Sequence, residues 1–448
     1  MKNKLSKAAI LLWALGLVFF VLSCAIWTGG SENGTISLSF SPSSKALITG
    51  ATEARVWVYS NNVLVPNTAN PEGFYSTSIG SGATEATITI SDLPPGDSYR
   101  IVVAAFKTDD TTTVTAFGTS ELFGVKAGVE TAVGIKLQEI NIAVPSKQIK
   151  NLVSVVYDGS TSTITAASTA ASGSALYTGS SVTNLSGPAP WPTSNGTINS
   201  LNLTADQSPV VLVNTTKGIY DQWGSYVGTS NWGGTPPSVL QSGGLATLNT
   251  FFYQAEKEIG GYVGGNEWNR IELDIPVAGK PILDLLVWQE DQATIYGYFA
   301  TRVVGAFRVG SSNIENLKLE DILSGNVNSP IIFFGESLPL IQAFGYIGGD
   351  DLYLGTKSGV YKTIIDTPNN TPLLIEGTKG LDVTKIVVQE ETEAFLTAKE
   401  LVILKGSKIY KMPFLTSVVG TLTDVAWKGT DLIVVGTNGI CSVPTEGL

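Results

Sequence analysis

From Gly34 to about Ile140 hydrophobic and polar positions alternate. The runs are Thr35-Ile36-Ser37-Leu38-Ser39-Phe40, Ala54-Arg55-Val56-Trp57-Val58-Tyr59, Ala86-Thr87-Ile88-Thr89-Ile90 and Tyr99-Arg100-Ile101-Val102-Val103-Ala104. A period of two, rich in β-branched and aromatic residues and punctuated by turn clusters, predicts half-buried strands of a β-sandwich.

Beyond a polar joint at Pro145 to Lys150 the pattern changes to a repeat. Val211-Leu212-Val213-Asn214-Thr215-Thr216-Lys217-Gly218-Ile219-Tyr220 recurs as Leu352-Tyr353-Leu354-Gly355-Thr356-Lys357-Ser358-Gly359-Val360-Tyr361, and again as Leu432-Ile433-Val434-Val435-Gly436-Thr437-Asn438-Gly439-Ile440-Cys441. Each copy is an apolar strand, a tight polar turn ending in Gly and a second strand, which predicts a β-hairpin. Gly406 to Met412 and Val303 to Val309 read as degenerate copies. A strand-only repeat of roughly 40 to 50 residues predicts a β-propeller, and the length allows about six or seven blades. Ala166 to Asn199, low in apolar residues, reads as a poorly formed first blade or a long loop.

The expected fold class is therefore all-β: an N-terminal β-sandwich at 34–140, a linker at 141–150 and a β-propeller-like domain at 151–448. Ile90-Ser91-Asp92-Leu93-Pro94-Pro95-Gly96-Asp97-Ser98-Tyr99 resembles the hairpin of transthyretin-like and immunoglobulin-like modules of bacterial surface proteins, which implies a spacer or binding scaffold. The prolines would fix the turn, Gly96 would supply a positive φ, and Tyr99 would pack back into the corner. Phe123 to Leu137 reads as the module's last hairpin. The later repeats resemble sialidase-type, sensor-type and photosystem-assembly-type propeller blades, without a Trp-Asp blade ending or the sialidase aspartate box.

The first 23 residues are a basic start (Lys2, Lys4, Lys7), an apolar run from Ala8 to Leu22, and Ser23. They read as a secretory signal rather than a membrane span. Val21-Leu22-Ser23-Cys24 resembles the lipobox of bacterial lipoproteins. The resemblance implies cleavage before Cys24, acylation of its thiol, and a tether from 24 to 33 in a cell-envelope protein anchored to a membrane. Ala25 lacks the aspartate that retains lipoproteins at the inner membrane of enteric bacteria, which favours the outer membrane.

Charge narrows the partners. Of 27 basic residues the leader takes three, leaving 24 against 38 acidic ones, a net charge of −14. Nucleic acid is a poor partner for such a chain. With Cys24 acylated, Cys441 stands alone and no internal disulfide forms, so the core must hold the fold.

The chain has no histidine, which removes Ser-His-Asp and Cys-His catalysis and histidine-ligated metals. Acidic residues such as Asp274, Asp284, Glu290-Asp291, Asp350-Asp351 and Glu390-Glu391 are abundant, but their spacing selects no glycosidase pair. Five arginines (Arg55, Arg100, Arg270, Arg302, Arg308) are too few and too scattered for a sialidase cluster. Neither Asp109-Asp110 nor Asp350-Asp351 has EF-hand spacing. No catalytic residue, metal or cofactor is expected.

Binding remains. The Gly/Ser/Asn-rich stretch from Ile219 to Trp268 carries Tyr220, Trp223, Tyr226, Trp232 and Trp268, rings on polar loops that can stack on sugar faces or anchor a protein. The leading expectation is a lipid-anchored, non-enzymatic binding or scaffold module whose propeller loops engage a protein or glycan partner. The alternatives are a carbohydrate-active enzyme or lectin-like sugar binder, and a periplasmic envelope-assembly or sensory factor.

Overall fold

The computed structural model describes residues 33–42, 51–107, 110–204, 209–227, 339–346, 351–364 and 371–448, apart from four single positions between 71 and 84, and between 239 and 333 little more than the backbone of the strands. The described chain is nearly all β, as the alternation and the repeat predict. Among the described residues no helix is long and apolar enough to cross a membrane.

The first nine strands are β1 (Gly34–Pro42), β2 (Ala51–Ser60), β3 (Val63–Leu64), β4 (Tyr75–Ser78), β5 (Ala86–Leu93), β6 (Gly96–Lys107), β7 (Asp110–Thr119), β8 (Phe123–Val125) and β9 (Glu130–Glu139). They hydrogen-bond in the order β3-β2-β6-β7-β9-β1-β5, with β4 on β2 and β8 on β6. Ile36, Leu38, Val56, Val58, Ile101 and Val103 fill one core inside this unit.

The other face of β2, β6 and β7 is buried as well, which a half-buried strand does not anticipate. Trp57, Tyr59, Val102, Ala104, Phe106 and Phe117 enter a second core shared with Leu396, Leu401, Met412, Phe414, Val434 and Cys441 from the end of the chain. Side chains alternate across a strand, so Val56 and Val58 serve the first core while Trp57 and Tyr59 serve the second. The N-terminal unit is thus fixed to the rest of the molecule through one face of β2, β6 and β7.

Local details of the hairpin differ from the sequence reading. The Tyr99 hydroxyl does return to the corner, donating to the Pro94 carbonyl at 2.5 Å. The positive φ, however, belongs to Asp92 at 63°, and Gly96 opens β6, where a Cβ would come within 3.3 Å of the Tyr99 ring. Phe123 to Leu137 is no hairpin: β8 pairs with β6, whereas β9 pairs with β1 in parallel and with β7.

Seven sheets follow among the described residues. They are β10–β13 (Leu152–Asp158, Thr163–Ala170, Gly173–Gly179, Ser186–Pro190), β14–β16 (Ile198–Leu203, Val211–Thr215, Gly218–Asp221) and β17–β21 (Val239–Gln241, Phe251–Ala255, Glu258–Val263, Asn266–Glu267, Ile271–Glu272). Then come β22–β25 (Ile282–Asp291, Thr294–Thr301, Gly305–Ser311, Ile332–Phe333) and β26–β29 (Ile341–Gly345, Asp351–Thr356, Gly359–Ile364, Leu373–Leu374). The last two are β30–β33 (Lys385–Gln389, Thr392–Leu396, Leu401–Lys405, Lys408–Met412) and, after the short helix α1 (Leu415–Val419), β34–β36 (Leu422–Lys428, Asp431–Gly436, Gly439–Pro444).

The three predicted hairpins are β15–β16, β27–β28 and β35–β36. In the first two a threonine at the end of the leading strand holds the turn. Thr215 Oγ1 donates to the Gly218 carbonyl at 3.0 Å and accepts from the Lys217 N–H at 3.0 Å, and Thr356 does the same with Gly359 at 2.8 Å and Ser358 at 3.0 Å. The glycine lies at φ 136° and 131° in these turns, a region closed to residues with a Cβ. Gly406 to Met412 is not a copy of this hairpin but the next turn along, β32–β33. Its sheet carries the equivalent turn at Thr397 to Glu400, where Thr397 Oγ1 donates to the Glu400 carbonyl at 3.0 Å. The Ser- and Thr-rich stretch at 166–199 is neither loop nor defective sheet: β11, β12 and β13 run through it in an ordered ladder.

First strands of successive sheets lie against one another, β10 on β14, then β17, β22, β26, β30 and β34, and β34 lies on β10. A polar clasp recurs along this path. Five first strands carry a bulge after their opening residue, between Leu152/Ser154, Ile198/Ser200, Ile282/Asp284, Ile341/Ala343 and Leu422/Asp424. In three of the five the residue after the bulge reaches the backbone of the next first strand. Ser154 Oγ accepts from the Leu201 N–H at 3.0 Å, Asp284 from the Phe344 N–H at 2.9 Å, and Asp424 from the Val155 N–H at 2.9 Å. Asp424 also accepts from the Ser154 hydroxyl at 2.5 Å and pairs with Lys385. At the outer edge of the last sheet Ala143 exchanges both backbone hydrogen bonds with Ser442, at 3.0 and 2.9 Å.

Candidate functional site

Of the five aromatic residues expected to form a site, three come together on one hairpin and two, Trp232 and Trp268, lie outside the described residues, as does Cys24. The hairpin runs from β16 through residues 221–225 and back to Tyr226, which bridges Tyr220. Its sequence dictates a fixed loop. Asp221 Oδ1 accepts from the N–H groups of Trp223 at 2.9 Å and Ser225 at 2.8 Å, the way a short acidic side chain closes a turn on its own backbone. The Asp221 N–H donates to the Ser225 carbonyl at 2.9 Å, and the Gly224 N–H to the Asp221 carbonyl at 3.0 Å. Gly224 takes φ 86°, and its carbonyl accepts from Asn195 Nδ2 at 3.0 Å.

With that backbone held, Trp223 projects from the tip and is 72% exposed, and Tyr226 beside it is 38% exposed. Tyr220 plays a different part from the one expected: at 8% exposure it is a support. Its ring stands edge-on to Tyr226 (5.2 Å, 75°) and to Trp191 (5.9 Å, 83°), the edge-to-face packing that aromatic quadrupoles favour. Burial raises the Tyr220 phenol above its ordinary pKa. Trp191 is buried with its indole N–H lacking an acceptor.

Sequence reasoning missed Trp191 and Asn195, which brace the hairpin from the preceding connection. Both fall in a polar stretch with no periodicity, and Trp191 stands apart there only as a large ring between two prolines.

The chemistry weighed from the sequence finds no cluster. Among the described residues no three of Cys, Asp and Glu gather to hold a metal ion. Asp284 is taken up by the clasp, and Asp351 pairs with Lys362 at 2.7 Å on the surface. Cys441 is free and fully buried, and burial pushes its thiol well above the usual range. Glu393 accepts from the Tyr353 hydroxyl at 2.5 Å, and burial raises both groups.

No family model matches the chain, and no curated protein matches it. Solved structures do. Selenomethionine-substituted virginiamycin B lyase from Staphylococcus aureus is 9% identical with a TM-score of 0.51, covering 68% of this chain and 98% of that one. A catalytically inactive histidine-to-alanine variant of that lyase with quinupristin is 10% identical with a TM-score of 0.48, at the same coverage. PorZ, a bacterial surface component of the type-IX secretion system of Porphyromonas gingivalis, is 10% identical with a TM-score of 0.48, covering 94% of this chain and 69% of that one. At such identities the likeness to the lyase concerns the fold alone, and it is to a β-propeller-like protein.

Proposed function

We propose that the chain is a non-enzymatic binding module: an N-terminal sandwich locked to a seven-bladed propeller, held to the outer membrane through lipid on Cys24, and presenting the Trp223 hairpin to a protein or glycan partner. The exposed ring of Trp223 on a loop whose backbone is already satisfied carries this reading. A large aromatic that pays little ordering entropy on contact is what binding anchors are made of. Seven successive sheets and the return of β34 onto β10 support the propeller.

The absence of histidine supports a non-enzymatic role. The basic, apolar leader and the Val21-Leu22-Ser23-Cys24 sequence support the anchor.

Surface proteolysis of intact cells, with mass spectrometry of the released fragments and of the N-terminal peptide, tests the proposal. It expects an acylated Cys24 at the mature N-terminus. An unmodified residue 24 inside an uncut chain contradicts the anchor, and turnover of a glycan or ester by the purified protein contradicts the non-enzymatic role.

A further inference from the structure

We infer that the Trp223 hairpin takes an uncharged saccharide, with the Trp223 ring as the platform for the sugar's apolar C–H face and Tyr226 at its side. The inference rests on the binding reading above and narrows it to one ligand class.

The first argument is charge. From Ser186 to Val227 the described residues include one cation, Lys217, and one anion, Asp221, in a chain whose acids outnumber its bases 38 to 27. Both are engaged locally: the Lys217 ammonium donates to the Ser194 carbonyl at 3.0 Å, and Asp221 Oδ1 takes two backbone N–H groups. Among these described residues the two charges offset each other, so they favour neither an anionic nor a cationic ligand.

The second argument is the surround. A protein-binding hot spot sits inside a ring of contacts that exclude water. Here Thr193, Ser194 and Ser225 are exposed, Asn195 and Gln222 are half-buried, and Trp223 and Tyr226 are the large hydrophobic residues left exposed on this sheet. Rings edged by neutral hydroxyls and amides match a molecule with one apolar face and a rim of hydroxyl groups.

The third argument concerns strand edges. An extended peptide adds to a sheet through a free row of backbone N–H and C=O groups. The edge strand that leads into Trp191, β13, is exposed along its length and carries Pro188 and Pro190, which have no N–H to offer. The edge of β16 is already used, by the Tyr226 bridge and by the Val227 N–H, which donates to the Ile219 carbonyl at 2.9 Å.

The test is titration of the full chain in detergent micelles with cellohexaose, maltohexaose and chitohexaose, against sialyllactose and an oligogalacturonate as acidic controls, together with on-cell oxidation of Trp223. Saturable binding of at least one neutral hexasaccharide is expected. It should weaken at least about tenfold in Trp223→Ala and by less than about threefold in Trp223→Tyr, which keeps a ring. Leu373→Ala, at an exposed site on another sheet, should leave it unchanged. Binding of acidic sugars alone, or neutral binding indifferent to Trp223→Ala, overturns the inference. If no neutral sugar binds while Trp223 is shielded on cells, the saccharide inference falls and the binding module stands. If Trp223 is not shielded either, both fall.

Discussion

Trp57 and Trp223 look alike in the sequence, each a tryptophan flanked by turn- or strand-forming residues, and the fold puts them at opposite extremes, 1% and 72% exposed. Trp57 stands at the seam between the N-terminal unit and the sheets of the chain's end, its ring centroid 6.4 Å from Phe414 and 5.6 Å from Phe74. Around it the seam is an apolar core that encloses one buried polar cluster. The Tyr59 hydroxyl donates to Glu400 at 2.9 Å, and the Lys411 ammonium lies 3.9 Å from the same carboxylate and 4.7 Å from the Tyr59 ring. The Trp223 hairpin has the reverse design, with a satisfied backbone and an unsatisfied ring. One region is closed within the fold, and the other is the surface that we propose a partner covers.

Breaking the seam should cost most. Trp57→Ala should lower stability by about 3–5 kcal/mol through lost burial and the cavity left behind, with the N-terminal unit and the ring of sheets still melting in one calorimetric transition. Two separated transitions in the wild type would show that the seam does not couple the two.

The polar group comes next. Glu400→Gln leaves the fully buried Lys411 without its carboxylate and should cost about 3–5 kcal/mol, whereas a Glu400→Leu/Lys411→Met double variant should recover most of that loss; chemical denaturation of the three proteins measures both. Burial holds the Lys411 pKa below its ordinary 10.5. Below 10.5 the unfolded chain therefore binds more protons than the folded one, and stability should rise with pH as it approaches that value, a slope that Lys411→Met removes.

The clasp should be weaker. Asp424→Asn keeps the size of the side chain but loses the carboxylate that serves Val155, Ser154 and Lys385 together, for about 1–3 kcal/mol by calorimetry. Trp223→Ala should change stability by less than about 0.5 kcal/mol, because that ring contributes nothing to a core.

Much of this was legible in the sequence. The strand-only character and the three glycine-ended hairpins come from local patterns, in which a period of two and a tight polar turn ending in Gly act over a few residues, and the richness in rings pointed to the stretch that holds Trp223. What was not legible is long-range. Glu400 replaces the turn glycine in one hairpin and hides that copy, so Gly406 drew attention to the wrong turn. The clasp is written as Ser154, Asp284 and Asp424, which share a place after a bulge but not a residue type. The double burial of β2 depends on a partner surface more than 300 residues away, as Tyr59 and Glu400 show, and alternation within a strand carries no information about what lies on its polar-looking face. Tyr220 and Trp191 make the same point at the site: ring count marked the hairpin, but only packing separates the ring that supports from the ring that is offered.

The most direct test is hydroxyl-radical footprinting of the protein on intact cells and after purification, read by mass spectrometry at Trp57 and Trp223. Trp57 should be protected in both states, and Trp223 should be oxidised readily in the purified protein and protected on cells, where its partner covers it. Equal oxidation of Trp223 in the two states would contradict the account.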